Sequence, residues 1–156
     1  MSALFEELDY CPTPIGAVTL RRRRDLKLNQ DVFEIRLGDE SLMTSLFTAS
    51  EIALARLGLA ALDNAVAPAV VVGGLGLGYT ANAVLEGAQG ASLIVVEALA
   101  PVNEWHESGV VPLGNAVAAD PRGRLVLGDF VAMATAQDGV DPSRPGSVYD
   151  AILVEI

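Results

Sequence analysis

The chain has 156 residues, 51% of them hydrophobic and 19% charged, which is enough apolar material for a buried core and argues against disorder. Ten Lys and Arg against twenty Asp and Glu give a net charge of −10. A surface that acidic repels phosphate backbones, so nucleic acid is not an expected partner and a small cationic substrate is favoured. The lone Cys11 and lone His106 exclude an internal disulfide and a Cys/His zinc cluster, so no metal site is expected. No apolar run is long enough to cross a bilayer and no basic-then-apolar leader opens the sequence, so the reading is cytoplasmic with no membrane partner.

Residues 1–47 read as a small β-hairpin region. Ile15–Leu20 and Val32–Leu37 alternate apolar with polar residues, the pattern of half-buried antiparallel strands. Arg21–Arg24 between them reads as the solvated end of the hairpin, where like charges discourage edge pairing, with an anion-binding patch as the less favoured alternative. Cys11, between Tyr10 and Pro12, reads as a packing residue.

Residues 48–156 read as a Rossmann-like α/β domain. Thr48-Ala49-Ser50-Glu51 matches a capping box, and Ile52, Ala55, Leu59 and Leu62 recur at helical spacing, so the spacing predicts a helix over Ala49–Leu62. Ala69–Val72, Leu93–Val96, Leu125–Leu127 and Ala151–Val154 are short, continuous apolar runs, as strands covered on both faces should be. A helix carrying Ala81, Val84 and Leu85 separates the first two, and Pro101 opens another through Trp105. Strand–helix–strand repetition predicts a parallel sheet with right-handed crossovers. Asp138–Ser147, with its two prolines, reads as a surface loop.

The strongest chemical signal is Val70-Val71-Val72-Gly73-Gly74-Leu75-Gly76-Leu77-Gly78, running from a strand directly into a helix. Alternate glycines let a backbone turn sharply and bring its amides to a ligand beside a helix N-terminus; the competing reading is a tight turn that only packs helix on strand. Glu97 ends the second strand, placed to accept two ribose hydroxyls, and Asp129 ends the third, placed to accept an adenine amino group. The dinucleotide fingerprint would need a third glycine where Tyr79 stands, which makes an NAD-linked oxidoreductase the less favoured alternative. His106, between Trp105 and Glu107, reads as a surface residue.

Val70–Leu85, Val95-Val96-Glu97, Asp120-Pro121-Arg122, Val126-Leu127-Gly128-Asp129 and Tyr149–Val154 together resemble successive motifs of spermidine synthases, of the class I S-adenosylmethionine-dependent methyltransferase fold. Asp39-Glu40 is similar to the Asp-Glu turn after the N-terminal hairpin of those enzymes. The resemblance implies S-adenosylmethionine or decarboxylated S-adenosylmethionine as cofactor, with Gly74, Gly76 and Gly78 at the methionine end, Glu97 on the ribose and Asp129 on the adenine. It implies a transferase, methyl or aminopropyl. The family's catalytic Asp lies just beyond the fourth strand, past Ile156, so the catalytic residue is unassigned, with Glu155, in the place of the acidic residue that ends that strand, as a candidate. The sequence departs from the pattern at Leu77 and Leu99, where the family carries acidic residues, and at Met43-Thr44-Ser45, where it carries Tyr-His-Glu. Those positions bind amines in the family, so a non-catalytic binding or scaffold protein is the alternative. A full domain of this class adds further strands after the fourth, so the expectation is either that residues following Ile156 supply them, which is preferred, or that a homo-oligomer covers the edge.

Overall fold

The computed structural model describes residues 4–63 and 66–155. It divides into two compact units, residues 1–48 and 49–156.

The first unit is an antiparallel sheet of β1 (Phe5–Thr13), β2 (Gly16–Asp25), β3 (Gln30–Leu37) and β4 (Glu40–Thr44), in that order. The hairpin legible in the sequence is β2–β3, which pairs Leu20 with Ile35 and buries Val18, Leu20, Val32 and Ile35. Strands β1 and β4 flank it; Glu6, Glu7 and Asp9 interrupt the apolar alternation that would have marked β1.

The arginine run differs from its expected place. Arg21–Arg24 lie inside β2, an inner strand, and not at a hairpin end. Each meets a carboxylate: Arg21 with Glu7 (3.5 Å), Arg22 with Glu6 (2.6 Å), Arg23 with Glu34 (2.9 Å) and Arg24 with Asp31 (3.2 Å). Cross-strand pairing thus removes the repulsion expected of four adjacent cations, and since exposed pairs add little stability, its main effect is on register. The turn itself is residues 26–29, where the Asp25 carboxylate accepts the amides of Lys27 and Leu28, each at 3.0 Å. Cys11 is half-buried, with its Sγ 3.2 Å from the Asp9 carboxylate.

The second unit runs α1 (Ala49–Ala60), β5 (Ala69–Gly73), α2 (Tyr79–Gly87), β6 (Ser92–Glu97), α3 (Ala100–Ser108), α4 (Ala116–Ala119), β7 (Gly123–Leu127), α5 (Phe130–Thr135) and β8 (Ala151–Val154). Its sheet is wholly parallel, in the order β7-β6-β5-β8. The order reverses beside β5, with β6 on one side and β8 on the other, which makes the carboxyl end of β5 a topological switch point.

Burial on both faces holds for β5, whose Val70, Val71 and Val72 are 0% exposed, because it lies between two strands. It does not hold for β7 and β8, where Leu127, Ile152 and Val154 are 57%, 56% and 44% exposed. Helix α1 covers one face of β8 closely: a Cβ on Gly58 would lie 2.5 Å from Leu153 Cδ2, which explains a glycine inside a helix. On the other face, Phe130, Met133 and Tyr149 pack with Val71, Val96 and Val140 and leave Ile152 and Val154 open. No helix among the described residues is long and apolar enough to cross a membrane.

Candidate functional site

Four elements bring chemistry to the carboxyl edge of the parallel sheet. After β5 the chain turns through Gly74, Gly76 and Gly78, whose φ values are 100°, 50° and 87°. All three lie in the left-handed region that side chains disfavour, so the alternation of glycine with leucine is a conformational requirement. Leu75 and Leu77 point into the core, at 2% and 0% exposed, while Gly74 and Gly76 keep partial access to solvent.

Glu97 reaches this turn directly. It is buried, yet its Oε2 accepts the Leu75 amide at 2.9 Å and its Oε1 accepts the Leu99 amide at 2.8 Å. Two main-chain donors compensate the desolvation that a buried carboxylate otherwise suffers. Gly74 donates to the Val96 carbonyl at 2.9 Å, so the turn is laced to the end of β6 at two successive amides.

Asp129 stands on the far side of Glu97, and Gly128 donates to the Glu97 carbonyl at 2.9 Å. Its Oδ1 accepts the Ala132 amide at 2.9 Å and caps α5, while the residue as a whole is exposed. On the opposite side Glu155 donates its amide to the Gly73 carbonyl at 2.8 Å. The candidate residues therefore line one edge in sheet order: Asp129, Glu97, the glycine turn, Glu155.

Glu155 is half-buried, and its carboxyl is pushed up to about 7, first by burial, with the Thr80 hydroxyl opposing and the Glu51 charge reinforcing the rise. The Thr80 hydroxyl donates to Glu155 Oε2. Thr80 is itself buried in the first turn of α2 and was not singled out in the sequence, since its partner lies 75 residues away.

His106 corrects its expected position. It is 0% exposed, because Val102, Trp105 and His106 form the inward face of α3 at the i, i+3, i+4 spacing that marks a buried stripe. Its Nε2 lies 2.9 Å from the Gly76 carbonyl. A Cβ on Gly78 would fall 2.6 Å from its Cε1, so Gly78 is where the turn rests on the imidazole. Burial lowers the pKa of His106, opposed by the Gly76 hydrogen bond and the Glu97 charge.

Among the described residues no group of three or more His, Cys, Asp or Glu is placed to hold a metal ion. A cleft of about 520 Å³ opens at the other, amino edge of the sheet, lined by Arg122, Arg124, Asp141 and Tyr149 among others.

A four-stranded parallel sheet with a glycine turn at its switch point is the architecture of a class I methyltransferase-type fold. Solved structures bear this out. Spermidine synthase from Thermotoga maritima matches with a TM-score of 0.71 at 18% identity, over 96% of this chain and 46% of that one. A spermidine synthase in complex with the transition-state analogue AdoDATO matches with the same TM-score and identity, over 96% of this chain and 47% of that one. A protein-L-isoaspartate O-methyltransferase matches at 0.50 and 24% identity, over 76% of this chain and 32% of that one. The chain spans about half the length of the spermidine synthases it matches. No protein-family model matches the chain, and no curated protein matches it by sequence. The fold is thus that of spermidine synthases and class I methyltransferases.

Proposed function

We propose that the parallel unit binds an S-adenosyl sulfonium nucleoside, S-adenosylmethionine or its decarboxylated form, at the carboxyl edge of the sheet and serves a transferase of methyl or aminopropyl groups. The observation that carries this reading is the Glu97 carboxylate, which ends β6 and at the same time anchors a glycine turn of positive φ at the switch point.

The residues present suit such a ligand. Each Glu97 oxygen uses one lone pair on an amide and keeps capacity for a ribose hydroxyl. Asp129 spends Oδ1 on its helix cap and keeps Oδ2 for an exocyclic amine. Gly74 and Gly76 offer backbone without side chains for the methionine end, with Gly78 beneath them. When bound, the sulfonium supplies an electrophilic carbon for the acceptor. Glu155, at about 7, is matched to take a proton from an acceptor near neutrality. A cationic acceptor agrees with the net charge of −10.

A ligand that binds only the folded state raises its stability with the logarithm of concentration over affinity. S-Adenosylhomocysteine and methylthioadenosine are expected to raise Tm, and NAD to leave it unchanged; a response to NAD alone overturns the assignment. One observation favours the second reading, a non-catalytic binding or scaffold protein. Both Glu97 oxygens already hold main-chain amides, so the carboxylate has a sufficient structural reason to be there. Absence of any nucleoside response would select that reading.

A further inference from the structure

We propose that His106 is a positioning residue for the glycine turn, a neutral imidazole that carries its proton on Nε2 and holds Gly76 and Gly78 in the conformation that receives the nucleoside. The second half of this statement rests on the function proposed above; the first does not.

The geometry assigns the tautomer. A carbonyl oxygen can only accept, so the 2.9 Å contact between Nε2 and the Gly76 carbonyl places the proton on Nε2. The other nitrogen, Nδ1, is buried and has no hydrogen-bond partner. Protonating it would create a buried donor with nothing to donate to, which costs more than leaving a lone pair unused. The ring is thereby kept neutral, in agreement with the downward shift that burial imposes.

The imidazole constrains two places in one turn. It fixes the orientation of the Gly76 peptide through its carbonyl, and its edge occupies the space under Gly78, where no side chain can enter. Glu97 constrains the same turn from the amide of Leu75. Both clamps come from one continuous segment, β6 into α3, so the turn is set before any ligand arrives. A turn held in its bound conformation avoids the ordering cost of binding.

The chain has a single histidine, so its imidazole signals can be read without ambiguity. Long-range proton–nitrogen NMR of the wild type is expected to show the Nε2–H tautomer and a titration below pH 6.5. An Nδ1–H tautomer overturns the proposal. Two variants test the consequence by amide hydrogen exchange over residues 74–78 and by calorimetric affinity for S-adenosylhomocysteine. His106→Leu keeps bulk and loses the donor; faster exchange in the turn and affinity weaker by about ten-fold are expected, the upper range for one hydrogen bond. His106→Gln restores an N–H donor of similar reach and is expected to recover both readouts. Unchanged exchange in His106→Leu overturns the positioning role, whether or not a nucleoside binds. Faster exchange with unchanged affinity overturns the link to ligand binding. Wild-type protein that binds no nucleoside defeats the functional reading, while exchange and tautomer still decide the first half. If His106→Leu fails to fold, the wild-type tautomer and the Gln variant decide it.

Discussion

The two edges of the parallel sheet handle charge in opposite ways. At the amino edge, a cleft of about 520 Å³ is lined by arginines that are already occupied. Arg122 donates to the carbonyls of Leu85, Ala88 and Gln89 at 3.0, 3.2 and 3.1 Å, closing the end of α2, and pairs with Asp120 at 2.7 Å. Arg124 pairs with Asp141 and reaches the Ser143 hydroxyl, so the Asp138–Ser147 segment, read as a surface loop, carries a buried carboxylate. At the carboxyl edge no such mutual neutralisation is seen among the described residues. Glu97 and His106 are buried against main-chain groups, and Glu155 against a hydroxyl. At the amino edge, then, charge serves folding. At the carboxyl edge the buried groups meet main-chain and hydroxyl partners instead, which is compatible with the ligand role proposed for it.

The largest effect that would sharpen this contrast is at Gly78. Alanine there must adopt φ near 87° and place its Cβ 2.6 Å from the His106 ring. Left-handed strain and overpacking together are expected to cost about 3 kcal/mol, read from denaturant midpoints. A companion His106→Ala change should recover part of the loss, and if the two effects simply add, the contact is not the cause.

A smaller effect is expected at Asp129→Asn. Asparagine caps a helix as well as aspartate does, so Tm should hold. An uncharged amide accepts an adenine amine less well, and affinity for S-adenosylhomocysteine should fall about ten-fold, within the range of a hydrogen bond to a charged group. A fall in Tm with unchanged affinity would reduce Asp129 to a cap. The opposite signature is expected at the amino edge. Arg122→Met should lower Tm through the lost closure of α2 and leave nucleoside affinity unchanged. Weaker binding in that variant would break the division between the edges.

Much of this edge was legible in the sequence, and the reasons are local. Val70–Gly78 announces a buried strand entering a turn, because β-branched runs and alternate glycines each have one main physical use. Glu97 and Asp129 follow from strand ends. What was not legible depends on pairings across the fold. Nothing local reveals that Glu97 accepts Leu75, 22 residues earlier, or that Thr80 meets Glu155. A lone His beside Trp105 on a short helix reads locally as a surface residue, whereas the spacing of His106 from Val102 and Trp105 carries the information that it is buried. The four arginines misled for the same reason: their carboxylate partners lie on neighbouring strands, one of them, β1, hidden by its own acidic residues.

The smallest predicted effect is a slope in stability with pH, and it tests whether Glu155 is as unbalanced as its surroundings imply. Its carboxyl ordinarily titrates at 4.5 and is pushed up to about 7 in the fold. Between those values the folded chain keeps a proton that the unfolded chain has lost, so stability falls as pH rises through the window. The carboxyl is only half-buried, and solvent screening keeps the effect modest. His106 works in the reverse sense: its depressed pKa lets the unfolded chain protonate first, so its contribution is lost as pH drops below 6.5. Glu155→Gln should therefore flatten the decline between pH 4.5 and 7 and leave the acid-side loss from His106 in place. A Gln variant whose midpoint still falls across that window as steeply as the wild type would show that the Glu155 carboxyl is already balanced, and with it would go the case for a proton acceptor at this edge.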